Sequence, residues 1–171
     1  MESWTLPLCA RLTWLVGPPG AGKSTLASRQ GTFDRVVELT DMLGPLVDPI
    51  PIRKGILDAN GRLVEVIRRL ELHEENAGLP PLLVVAGLVP EEVLLPVLDG
   101  EAVLLLRPER SRWLRQLYRR PVGAGSSRQY DDYMYAERWY DRFDSWVGQP
   151  GVQCIDMPEV EQLIGKTAPG R

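Results

Sequence analysis

Short apolar runs alternate with stretches of helical spacing along the chain, and the two periods predict its elements. Runs at Leu12–Val16, 35–39, Leu82–Ala86, 102–106 and Val152–Ile155 read as five strands. Those around 82 and 102 are apolar at every position, as strands covered on both faces are. Leu63, Val66, Ile67 and Leu70 recur at helical spacing and predict a helix of roughly five turns, capped at Asp58 or Asn60 and ended by Gly78. Further helices are predicted at Lys23–Arg29, 90–98, 111–119, 130–147 and 159–164. Prolines make 43–52 an irregular segment, because each removes a donor and blocks helix at the residue before it. Glycine and serine make 122–127 a loop. Strands separated by helices predict an α/β fold with a mainly parallel sheet, in one domain spanning 1–171.

Composition narrows the chemistry. The chain has 171 residues, 44% of them apolar, enough for a core without staples. Twenty Lys and Arg against 23 Asp and Glu give a net charge of −3, which disfavours nucleic acid or an anionic membrane as the main partner. Cys9 and Cys154 are too few for a disulfide framework or a Cys-based zinc site and read as small buried hydrophobes in a reducing compartment. The single histidine, His73, lies beside Glu74 and Glu75, reads as part of a solvated face and excludes multi-histidine metal sites. Glu2 and Arg11 interrupt the apolar N-terminus, unlike a secretory signal, and no run reaches the ~18 apolar residues of a membrane span. A cytoplasmic location is the expectation.

The sharpest motif is Gly17-Pro18-Pro19-Gly20-Ala21-Gly22-Lys23-Ser24, followed by Thr25, between the first predicted strand and helix. Its chemistry is that of a phosphate cradle. Glycines let successive backbone N–H groups converge on a phosphate, the helix start adds positive potential, Lys23 reaches the β and γ oxygens, and Ser24 ligates Mg²⁺. With these residues the chain resembles the P-loop NTPases. Its size is similar to the compact kinases among them, those for shikimate, gluconate, nucleoside monophosphates and polynucleotides. The resemblance implies a three-layer fold around a five-stranded parallel sheet in the order 2-3-1-4-5, with ATP and Mg²⁺ bound and the γ-phosphoryl group transferred.

Further positions follow from it. Asp41, just past strand two, faces the loop across the strand ends and resembles the carboxylate that takes an acceptor proton or holds the Mg²⁺ water shell. Glu38, on the strand face opposite to Leu39, is left open between a functional and a structural role. Strand three ends in Val85-Ala86-Gly87-Leu88, without the aspartate with which many P-loop proteins brace Mg²⁺, and Gly87 is instead assigned to the acceptor. Arg53 and Arg62 fall where the family binds its acceptor.

Between 107 and 128 stand seven arginines (Arg107, Arg110, Arg112, Arg115, Arg119, Arg120 and Arg128) and one acid, Glu109. The resemblance makes 107–130 a lid, with Arg115, Arg119 and Arg128 on the triphosphate and Arg120 stabilising the transferred group. Tyr130, Tyr133, Tyr135, Trp139 and Tyr140 could stack on bases, yet their helical spacing with Phe143 and Trp146 also suits a core. Asp156 follows strand five, either near the purine or as a helix cap. The sequence therefore points first to a kinase for a small-molecule hydroxyl. A polynucleotide 5′-hydroxyl kinase and an ATP-binding regulatory or chaperone-like protein are the alternatives.

Overall fold

In a computed structural model of the chain, residues 6, 10–42, 53–87, 89–119 and 136–155 are described. Strands β1 (Leu12–Val16), β2 (Arg35–Glu38), β3 (Leu82–Ala86), β4 (Glu101–Leu106) and β5 (Val152–Ile155) form one sheet in the order β2-β3-β1-β4-β5. Every neighbouring pair runs parallel. The helices are α1 (Lys23–Arg29), α2 (Leu39–Met42), α3 (Arg53–Glu71), α4 (Glu91–Leu94) and α5 (Arg110–Arg119). Residues 136–142 are also helical and continue into a 3-10 turn at Phe143–Trp146.

Alternation along the central strands divides the core in two. Leu12, Trp14, Val84, Val103 and Leu105 face Val64 and Ile67 of α3, Leu94 of α4 and the Trp139, Phe143 and Trp146 group. Leu15, Leu83, Val85, Leu104 and Leu106 face Leu26 and Ala27 of α1. Covered on both faces, β1, β3 and β4 are buried at every position, which is why their sequences are continuous apolar runs. The edge strands are half open. On β5 this leaves Cys154 exposed, which corrects the expectation of a buried thiol; Cys9 lies outside the described residues.

Several predicted boundaries move, each for a local reason. Strand two stops at Glu38, whose partner Val85 is the last β3 residue in that ladder, and Leu39 turns into the core as α2 begins. Helix α3 starts at Arg53, five residues before the predicted Asp58, so Asn60 is a buried interior residue and no cap. It ends at Glu71, and a separate 3-10 turn, Glu74–Asn76, follows, capped by the exposed His73, whose Nδ1 accepts from Glu75 N–H. The helix predicted over 90–98 is only the one turn of α4, because Pro96 forces Leu95 into extended backbone. The predicted helix 159–164, the segment 43–52 and the loop 122–127 lie outside the described residues.

At the amino end of β4 one charge is fully buried. The Glu101 carboxylate accepts from Arg68 Nε–H (2.7 Å) and Nη2–H (2.8 Å), Trp14 Nε1–H (2.8 Å) and Leu98 N–H (2.9 Å). Arg68 also donates to the Val93 and Leu94 carbonyls, so one guanidinium ties α3, α4 and β4 together. Among the described residues no helix is long and apolar enough to cross a membrane.

Candidate active site

The carboxyl ends of β1 and β3 lie side by side, since Val16 pairs with Ala86, and the residues that follow are Gly17 and Gly87. From Gly17 the chain makes a tight loop into α1. Gly20 and Gly22 have φ of 79° and 98°, a region that glycine enters without cost, and Ala21 N–H donates to the Pro18 carbonyl at 3.2 Å. A Cβ on Gly17 would lie 2.4 Å from the Leu106 carbonyl oxygen, so only glycine allows the loop to leave β1 this close to β4.

Lys23, first residue of α1, curls back over this loop. Its Nζ donates to the Gly17 and Pro18 carbonyls, each at 2.8 Å. A Cβ built on Gly87 would stand 3.6 Å from Lys23 Nζ, so the end of β3 borders the ammonium. Ser24 is exposed beside it, and its hydroxyl donates to the Glu38 carboxylate at the end of β2. Mg²⁺ takes hard oxygen ligands and keeps several waters. An accessible hydroxyl next to a half-buried carboxylate is a donor set of that kind, so Ser24 and Glu38 fit the ion.

On its other side the loop is held by α5. Trp113 Nε1–H donates to the Pro19 carbonyl at 2.7 Å, the indole stacks on Tyr140 with ring centres 4.6 Å apart, and the Tyr140 hydroxyl donates to the Pro108 carbonyl.

Solved structures share this architecture. Shikimate kinase from Bacteroides thetaiotaomicron superposes with a TM-score of 0.56 at 11% identity, over 91% of this chain and 94% of that one. A sugar kinase from a Janibacter species gives 0.52 at 17% identity, over 92% and 91%. Shikimate kinase from Acinetobacter baumannii, in complex with shikimate, gives 0.50 at 18%, over 95% and 96%. No protein-family model matches the sequence, and no curated protein matches it.

The fold is that of the compact P-loop kinases. In such a kinase fold the strand order and the glycine-rich loop stand where the sequence put them. Asp41 is on α2, directly past β2 at the same sheet edge, and its side chain lies outside what the structure describes. The same holds for the side chains of Arg53, in the first turn of α3, and Arg119, at the end of α5. Arg120, Arg128, Tyr130, Tyr133, Tyr135 and Asp156 lie wholly outside the described residues, as does the part of the lid segment from 120 to 130. Arg62 is exposed on α3 and its Nε–H donates back to the Asp58 carbonyl at 3.5 Å.

Among the described residues, three of the arginines between 107 and 128 meet acids of their own. Arg107 pairs with Asp144, Arg110 with Asp141 (2.5 Å) and Glu137 (3.5 Å), and Arg112 with Glu109 (3.8 Å). The Asp141 hydrogen bond is the main cause that holds the Arg110 pKa above its ordinary value; burial opposes it, and the charges of Asp141 and Glu137 add to the rise. Arg115 is exposed, with Nε–H on the Ser111 carbonyl at 3.4 Å. Trp139, Tyr140, Phe143 and Trp146 are buried, so these aromatics belong to the core and offer no open face for bases.

Sequence reasoning left Glu38 open and overlooked Trp113. For Glu38 a signal was present: a carboxylate at a strand end in a chain that lacks one after strand three. For Trp113 nothing in the sequence connects residue 113 to residue 19.

Proposed function

We propose that the protein is an ATP- and Mg²⁺-dependent phosphotransferase that moves the γ-phosphoryl group of ATP to a hydroxyl of a small molecule. The observation that carries the reading is the adjacency of Lys23, curled over the loop, and Ser24, bonded to Glu38, at the carboxyl edge of the sheet. Bound Mg²⁺ would supply charge neutralisation on the phosphates. Ser24 would hold the ion, with Glu38 orienting the hydroxyl or a metal-bound water in place of the carboxylate missing after β3. Lys23 would exchange a loop carbonyl for a phosphate oxygen, and the backbone from Gly17 through Thr25 would cradle the triphosphate.

Asp41 would orient the acceptor hydroxyl and take its proton, with Arg53, Arg62 and Gly87 on the acceptor side. Arg115, Arg119 and Arg128 would bind the nucleotide, and Arg120 would stabilise charge on the transferred group. The fold is shared with a shikimate kinase in complex with shikimate and with a sugar kinase, which makes polyhydroxylated metabolites the first acceptors to try. The test is ATP consumption with Mg²⁺ across a panel of hydroxyl compounds, with mass spectrometry for the gain of one phosphoryl group. A phosphorylated product is expected, and Asp41→Asn should slow its formation by about 10²-fold or more. ATP turnover that no acceptor accelerates would sink the reading.

A further inference from the structure

We propose that Trp113 is a positioning residue of the phosphate loop, acting through the Pro19 carbonyl on the N–H of Gly20. The inference rests on the reading of the loop as a nucleotide site and adds to it a residue from outside the motif. A trans peptide unit is planar, with its C=O and N–H pointing in opposite directions. The Pro19–Gly20 peptide is trans, and its carbonyl is held outward, against α5, by the Trp113 indole at 2.7 Å. The same plane therefore turns the Gly20 N–H away from α5. None of the hydrogen bonds among the described residues uses that N–H, which leaves it as a donor for phosphate.

Two features make the contact a fixed point. Gly20, at φ 79°, has no Cβ to restrict rotation of the peptide, so something else must fix the plane. Trp113 is fully buried, stacked on Tyr140, whose own hydroxyl is tied to Pro108, so the indole cannot follow a moving loop. Phenylalanine keeps an aromatic ring against Tyr140 but has no ring N–H, so it would release the carbonyl.

The test compares Trp113→Phe with Trp14→Phe. Each removes one indole hydrogen bond and the same side-chain volume, but Trp14 donates to Glu101 at the opposite end of β4 from the loop. MgADP binding is measured by calorimetry and melting temperature without nucleotide by circular dichroism. Trp113→Phe should weaken MgADP roughly fivefold to tenfold, part of the value of one hydrogen bond from the Gly20 N–H to a charged phosphate. Trp14→Phe should lower the melting temperature and leave affinity alone. Unchanged affinity in Trp113→Phe, or equal weakening in both variants, would overturn the proposal.

A second measurement needs no variant. Among the five tryptophan indole N–H resonances of the ¹⁵N-labelled wild type, the one with contacts to the Tyr140 ring should shift on MgADP addition. A signal that stays put while MgADP binds overturns the proposal even if Trp113→Phe does not fold. Failure of the wild type to bind MgADP would overturn the nucleotide-site reading itself, and this inference with it.

Discussion

Glu38 ends β2 and Gly87 follows the neighbouring β3. Gly87 puts no side chain beside Lys23 Nζ, while Glu38 reaches Ser24 from the next strand out. The serine has its carboxylate. Glu38→Gln keeps the shape and removes the charge. It should raise the Mg²⁺ concentration needed for half-maximal ATP turnover roughly tenfold, as loss of a partner that orients a metal ligand does, with little change in melting temperature. A magnesium titration of the steady-state rate checks this. The Gly-Lys-Ser motif was legible in the sequence because its residues are contiguous. Glu38 was not, since its meaning depends on which strand lies beside the loop.

At the scale of elements, apolar runs located all five strands, since central strands must be apolar on both faces. Helix ends were harder. Helix α3 starts at Arg53, ahead of both predicted caps, and α4 keeps only one turn because Pro96 forces Leu95 into extended backbone. Arg68 shows how strong contacts across the fold are. Its guanidinium serves a fully buried carboxylate and two carbonyls that end the short α4 turn, and the amphipathic spacing of α3 gave no hint of it. Arg68→Ala would leave Glu101 charged, buried and served only by Trp14 and Leu98. It should cost about 3–5 kcal/mol of stability, read as a lower denaturant midpoint in equilibrium unfolding.

For the whole molecule, the loop, Glu38, Gly87 and α5 meet only because parallel strands bring their carboxyl ends to one edge. A ligand bound there stabilises the entire fold by mass action. MgADP at a hundred times its dissociation constant should raise the wild-type melting temperature by about 5–10 °C, corresponding to ~2.7 kcal/mol for a chain of this size. Lys23→Ala should melt near the wild-type temperature without nucleotide and lose most of that rise. Differential scanning calorimetry at fixed protein concentration measures both.

The sequence by itself determined the strand succession, the parallel sheet and the phosphate loop. These depend on local period and on contiguous residues, which a linear reading carries in full. The helical spacing of the aromatics of 139–146 also suited a core, and they are buried. Tertiary structure alone decided that Glu38 partners Ser24 and that Arg107, Arg110 and Arg112 are held by Asp144, Asp141 with Glu137, and Glu109. It also decided that Trp113 holds Pro19, 94 positions away. Such pairings rest on strand order and on the directions of side chains across layers, and no local period records either.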